Sequence, residues 1–219
     1  MHSNCFLCRH TFADWHTAIE DNARLVEFNR GDVIFREGDE IAGFYFIHTG
    51  KVKVHQHWLE DRELIIKFAA EGDLLGHRAI GKEQRYPVSA TAVEKVTACF
   101  ITPAFFRTTL MANHEFAYQV ILFFAAELQK AEEGMRKLVQ LDVKTRIAEK
   151  LLRLEVLFQV DEEGFAKHTL TRQDIASYAG TTYETLFKTM SEWEQDGVIA
   201  TAGKRIAIKK RKVLEKLMR

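Results

Sequence analysis

The hydrophobic period of the chain changes at Pro103, and that change constrains the fold more than any other feature of the sequence. Before it, from Leu25 to Ile101, short β-rich runs are divided by glycine at close intervals: "LVEFNRGDVIFREGD", "FYFIHTGKVKVHQHW", "LIIKFAAEGDLLG" and "VSATAVEKVTACFI". The segments between runs, "RGD", "EGDE", "HTGK" and "EGDL", are turn chemistry: glycine supplies positive φ and aspartate bonds the nearby backbone. "KVKVHQH" and "ATAVEKVTACFI" alternate apolar with polar residues, as half-buried strands do. Many short strands joined by tight turns predict a small antiparallel β-roll of jelly-roll type.

Beyond Pro103, helix formers dominate as far as Leu141, with Gly134 the one glycine. Ile121, Phe124, Leu128, Ala131, Met135 and Leu138 recur at alternating spacings of three and four, a coiled-coil seam. A helix from about His114 to Leu141 would be roughly 42 Å long at 1.5 Å per residue. Val120, Leu122 and Phe123 lie off the seam and can pack on the roll, which leaves the seam for a second copy of the chain in a parallel homodimer. The alternative is a helix that packs only on its own roll.

A third pattern follows in "LTRQDIASYAGTTYETLFKTMSEWEQDGVIA", Leu170 to Ala200. Thr171 with Asp174, and Thr181 with Glu184, have the spacing of capping boxes for two short helices. Gly180 between them suits the left-handed residue that joins helices at a steep angle. Ile175, Ala176 and Ala179 on the first helix, and Leu186, Met190 and Trp193 on the second, form inward apolar faces. Thr182, Tyr183, Glu184, Phe187 and Lys188 stay outside, where a helix-turn-helix meets bases and phosphates. Arg172 joins this set. "DGVIATAGKRIAIKK" then reads as two short strands around Gly203, a wing that offers Lys204 and Arg205 to the DNA backbone.

Charge agrees with that partner. The chain is neutral overall, with 31 basic and 31 acidic residues, yet Lys144 to Arg219 carries 15 against 11, and the remainder 16 against 20. Lys204 to Arg219 holds eight basic residues opposed only by Glu215. A basic end on an acidic body suits a phosphate backbone. No run approaches the ~20 apolar residues of a membrane span, and "MHSNCFLCRH" lacks the apolar segment of a secretory signal. A cytoplasmic protein with no membrane partner is expected. Three cysteines argue against a disulfide framework.

"LTRQDIASYAGTTYETLFKTMSEWEQDGVI" closely resembles the DNA-binding signature of the CRP/FNR bacterial transcription regulators. "FNRGDVIFREGDE", "FYFIHTGKVKVH", "GDLLGHRAIGKEQRYPVSATA" and "LDVKTRIAEKLL" follow that family's order over nearly the whole chain. The resemblance implies a cyclic-nucleotide-binding-type roll, a dimerisation helix, a winged helix-turn-helix, a bacterial origin and RNA polymerase as a partner. The corresponding fold class is α+β, with residues 1–112 as the effector roll, 113–141 as the dimerisation helix and 142–219 as the DNA-binding domain. The expected protein is a homodimeric regulator bound to an inverted repeat, and not an enzyme.

Departures from the family pattern bear on the signal. Members that bind cyclic AMP use a Gly-Glu pair, an Arg-Ser pair and two hydroxyl residues on the dimer helix. Those positions read Gly76-His77, Tyr86-Pro87 with Arg85 one step out of register, and Ala131 with Glu132. A buried cyclic phosphate needs a cation and donors, and proline has no N–H to give. Gly76, His77, Arg85 and Tyr86 therefore outline a pocket for an effector that is unknown and not cyclic AMP. On the FNR side of the family, three N-terminal cysteines and one in the roll hold an iron–sulfur cluster. Here Cys5 and Cys8 form a C-x-x-C and Cys99 stands at the roll position, while the remaining ligand would have to be His2, His10 or His16. The type of ligand suits a cluster or zinc, and a redox or metal sensor is the alternative function; with one ligand short, no metal is expected. "HQH", His55 and His57, has the look of a cupin enzyme's metal strand, but its carboxylate, Glu60, follows two residues too soon.

Overall fold

The computed structural model describes residues 5–57 and 63–218. They form two compact units: the chain up to Gln56 with Ile66–Lys130, and His57–Ile65 with Ala131 onward. Two short helices, α1 (Phe6–His10) and α2 (His16–Asn22), precede the strands. Eight strands follow: β1 (Arg24–Phe28), β2 (Val33–Phe35), β3 (Phe44–Thr49), β4 (Val52–His57), β5 (Glu63–Ala69), β6 (Leu74–Leu75), β7 (Ser89–Ala92) and β8 (Val96–Ile101). They make two four-stranded sheets, ordered β1-β8-β3-β6 and β2-β7-β4-β5. The antiparallel roll expected from the alternating runs is therefore present.

One core joins the two sheets through Phe35, Ile47, Val54, Leu75, Tyr86 and Ala98. A second lies against the helices, where Phe44, Phe46, Cys99 and Ile101 meet Leu7, Ile19, Phe106 and Phe116. Side chains alternate across a strand, so β3 and β8 serve both cores. Gly76 can be only glycine: its φ is +84°, and an added Cβ would lie 2.8 Å from the Gly43 carbonyl oxygen.

Helix α3 (Pro103–Ala112) is capped by Thr102, with proline in its first turn, where no N–H is needed. Asn113 breaks it: the side chain accepts from the Phe12 N–H at 3.3 Å and donates to the Thr109 carbonyl at 3.1 Å. Helix α4 (His114–Gln140) then runs 27 residues. Phe116 and Val120 are buried and Phe123 is half-buried, whereas Leu122, expected with them, is exposed.

In the second unit, α5 (Val143–Phe158) starts on an Asp142 cap. Helices α6 (Arg172–Ala179) and α7 (Tyr183–Gln195) form the helix-turn-helix, followed by β9 (Ile199–Ala202), β10 (Arg205–Ile208) and α8 (Arg211–Leu217). The basic end is thus partly a helix: the Leu217 carbonyl accepts from the Thr145 hydroxyl of α5, and Arg211 pairs with Glu155 and Glu215. No helix among the described residues is long and apolar enough to cross a membrane.

Candidate functional site

Helix α6 carries a full capping box: the Thr171 hydroxyl accepts from the Asp174 N–H at 3.0 Å, and Asp174 accepts from the Thr171 N–H at 2.8 Å. Gly180 ends it with φ +62°. The second cap is not the expected one. The Thr181 N–H turns back to the Ala176 carbonyl, 3.0 Å away, and completes the end of α6. Thr182 therefore caps α7, its hydroxyl accepting from the Thr185 N–H at 3.3 Å, and the box of Thr181 with Glu184 does not form.

Leu186, Met190 and Trp193 are buried, while Thr182, Tyr183, Glu184, Phe187 and Lys188 are exposed. Tyr183 and Phe187, one turn apart, stack with ring centroids 6.1 Å apart. The Glu184 carboxyl is held below its ordinary pKa by its own backbone N–H and by the Thr182 hydroxyl. The first two turns of α7 so present an acceptor, a cation and two aromatic rings on one open face.

The wing forms a two-residue hairpin, with Ala202 opposite Arg205 and Gly203 at φ +60°. Two arginines brace the wing. Arg172 donates to the wing-turn carbonyls of Lys204 at 2.9 Å and Gly203 at 3.1 Å, and burial pulls its pKa down. Arg205 pairs with Asp161 at 3.0 Å and Glu163 at 3.5 Å and lies over the Phe165 ring. Lys204 is exposed at the tip. Arg146, which drew no notice in the sequence, donates to the Leu138, Leu141, Ala179 and Gly180 carbonyls, tying the end of α4 to the helix-turn-helix turn. The signal for it would have been an arginine facing two helix ends, which only the fold defines.

On α4, Ile121, Leu128 and Met135 are each more than 60% exposed, and Phe124, Ala131 and Leu138 are exposed as well. Buried Glu127 lies in the first unit, 2.7 Å from Lys67, 3.2 Å from Lys130 and 3.8 Å from Arg78. Burial opposes its charge, but the two lysines outweigh burial and hold its pKa down.

In the roll, the expected pocket is filled. Tyr86 stacks on Phe35 at 4.0 Å, donates to the Gly43 carbonyl at 2.8 Å and accepts from the Ala42 and Gly43 N–H groups. The space left beside Gly76, His77, Tyr86 and Pro87 is ≈ 10 Å³, about one water. His77 is buried, its Nδ1 at 2.8 Å from the Leu74 carbonyl, and burial with nearby Lys67 lowers its pKa to about 4. Arg85 is not among the lining residues; it donates to the Gly38 carbonyl and faces Glu40. The cations at the pocket are Lys67 and Arg78, which have no register in the sequence pattern to mark them.

The cysteines converge. Ligand atoms of Cys5, Cys99 and His48 lie within 4.8 Å of one another, all three residues buried. Cys8 and Cys99 hydrogen-bond to Cys5, which lowers the Cys5 pKa and raises theirs. The expected histidines are elsewhere: His10 packs on Phe6, His16 bonds the Cys8 carbonyl, and His2 lies outside the described residues. Glu60, the carboxylate of the cupin-like alternative, is also outside them; His55 is buried, its Nε2 2.9 Å from the Thr91 hydroxyl.

Comparison with known proteins covers most of the chain. The family model for the cyclic nucleotide-binding domain matches residues 25–113, and that for the Crp-like helix-turn-helix domain matches 145–217. The nitrogen fixation regulation protein FixK of Bradyrhizobium diazoefficiens is 30% identical over 83% of this chain and 76% of its own. A CRP-like cAMP-activated global transcriptional regulator of Mycobacterium tuberculosis is 28% identical over 87% of this chain and 86% of its own. The solved structure of FixK2 from Bradyrhizobium japonicum superposes with a TM-score of 0.75 at 22% identity, covering 89% and 96% of the two chains. That likeness shows the fold.

Proposed function

Because the chain belongs to the CRP/FNR family of transcription regulators, we propose that it works as a homodimer on an inverted-repeat operator, without cyclic AMP as its effector. In this reading residues 1–112 form the effector roll, 113–141 the dimerisation helix and 142–219 the DNA-binding domain. RNA polymerase in the cytoplasm is the partner the family implies.

The observation that carries the reading is the open face of α7, opposite its buried Leu186, Met190 and Trp193. Lys188 can donate to guanine and Glu184 can accept from a cytosine amino group. Phe187 suits a thymine methyl, while Thr182, Tyr183 and Lys204 suit phosphates. Arg172 and Arg205 brace the wing, and Arg205, exposed beside Lys204, can face the DNA backbone with it. Pairing two copies along Ile121, Phe124, Leu128, Ala131, Met135 and Leu138 would cover an exposed apolar stripe and set two recognition helices about 34 Å apart.

Against cyclic AMP stand the Tyr86 ring, which occupies the pocket, and Glu127, which neutralises the nearest cations. Selection from randomised duplexes tests the operator. An inverted repeat should be enriched, and Glu184→Ala should relax preference at one base pair by about 1–3 kcal/mol. No enriched repeat, or one indifferent to that change, would remove the assignment. Micromolar binding of cyclic AMP by calorimetry would remove the effector claim.

A further inference from the structure

Cys5 precedes α1 and Cys8 lies within it, whereas Cys99 is on β8 and His48 on β3. Phe46 pairs with Cys99 across β3 and β8, and the register shifts between Ile47 and Thr49, so His48 sits at an irregularity of the ladder. Such irregularities re-aim a side chain, and here the imidazole reaches two sulfurs. Cys8 lines the same half-open cavity of ≈ 220 Å³ as Cys5, His48 and Cys99, which leaves a path for entry.

The spacing identifies the kind of guest. Two metal–thiolate bonds of about 2.3 Å laid end to end reach about 4.6 Å, and zinc–imidazole bonds are about 2.0–2.1 Å. Ligand atoms of Cys5, His48 and Cys99 all lie within 4.8 Å of one another, as donors that share one ion do, and Cys8 at the same cavity is the fourth donor. A multi-iron cluster distributes its ligands over separate irons and so holds them farther apart than donors that share one ion, whereas the ligand atoms of Cys5, His48 and Cys99 crowd within 4.8 Å. The cluster implied by the FNR side of the family therefore does not fit. Simple core packing accounts for buried sulfur, but it does not account for three thiols and an imidazole drawn from three separate segments.

We propose that Cys5, Cys8, Cys99 and His48 bind one zinc-type divalent ion in a four-coordinate site that pins the N-terminal helix to the roll. Each thiol that ligates gives up its proton to solvent as it binds. Soft thiolates with one imidazole suit zinc, or ferrous iron and cobalt in its place. The proposal goes beyond the regulator reading and does not depend on it.

The test uses the full chain without a histidine tag, reduced, stripped by chelator and titrated with Co²⁺ under nitrogen. One equivalent should bind, giving the strong visible bands of a four-coordinate ion and near-ultraviolet thiolate charge transfer, and one equivalent of Zn²⁺ should displace it. Since loss of an outer-shell partner already costs about 10–100-fold in affinity, His48→Gln should weaken Co²⁺ binding by at least that much. Zn²⁺ should raise the melting temperature of the wild type but not of His48→Gln, with the metal-free proteins melting alike. Should that buried change unfold the chain, Cys8→Ser at its half-buried position should still lower the charge-transfer intensity. Weak octahedral bands, no stoichiometric uptake, an iron–sulfur spectrum after anaerobic purification, or variants with wild-type Co²⁺ affinity would each overturn the site. DNA binding is measured separately: uptake of Co²⁺ by a chain that bound no DNA would support the ion site and remove the regulator reading.

Discussion

The roll pocket and the recognition helix treat their polar groups in opposite ways. Around Tyr86 the groups turn inward: the phenol serves Gly43 and Ala42, and Lys67 serves Glu127. On α7, Tyr183, Glu184, Phe187 and Lys188 face solvent, while the polar groups that turn inward lie on neighbouring elements: Thr171 caps α6, Arg172 holds the wing turn and Arg146 holds the turn after α6. A region whose hydrogen bonds are already made within the chain has little left for a ligand. One whose scaffold is satisfied while its outer face stays open is prepared for a partner.

The largest expected effect tests whether that open face works singly. Leu128→Asp should give monomers by sedimentation. Because two linked half-sites gain roughly 10²–10⁴-fold over one, DNA affinity should fall by that order in fluorescence anisotropy. A dimeric Leu128→Asp protein would place the interface elsewhere.

The packed ring in the roll ranks next. Tyr86→Ala should cost about 3–5 kcal/mol of stability, as for other large-to-small aromatic changes in a core, in denaturant unfolding. A loss under 1 kcal/mol would mean that the ring is dispensable to the pocket.

Acid should then act on both units. Burial lowers His77 in the roll to about 4, and lowers His168 in the DNA-binding half to about 4, against an ordinary 6.5. The folded chain keeps both neutral while the unfolded chain protonates. Stability is therefore full above about 6.5 and drains as pH falls toward 4, by up to about 3 kcal/mol for each residue. His77→Gln should flatten that loss in the roll alone, read by melting at stepped pH; an unchanged profile would put the titration elsewhere.

The smallest effect belongs to the wing. Lys204→Ala should weaken all sequences alike and lower the salt slope of DNA binding by about one. A change confined to one operator position would give Lys204 a base instead of a phosphate.

Local chemistry was legible along the chain. Alternation located the strands, and the switch in period at Pro103 located the start of α3, whereas the short helices α1 and α2 went unmarked. Cap spacing marked the α6 box, and the apolar faces of α6 and α7 came out as expected. Each of these depends on residues a few positions apart, where backbone geometry alone dictates which side chains meet. The second cap moved from Thr181 to Thr182 because the Schellman-type bond to Ala176 took the Thr181 N–H first, a competition that spacing does not rank.

Where long side chains end was decided only by tertiary structure. Arg172 and Arg205 are exposed-looking cations in the sequence, yet the fold sets Gly203 and Asp161 within their reach. Arg85 turned to Gly38, and Lys67 came to Glu127 instead. His48 is an unremarkable strand residue until β3 pairs with β8 and α1 packs beside them. A guanidinium, an ammonium or an imidazole takes whichever partners the folded backbone brings near, and for distant segments that proximity comes from sheet pairing and core packing, which local periodicity does not encode.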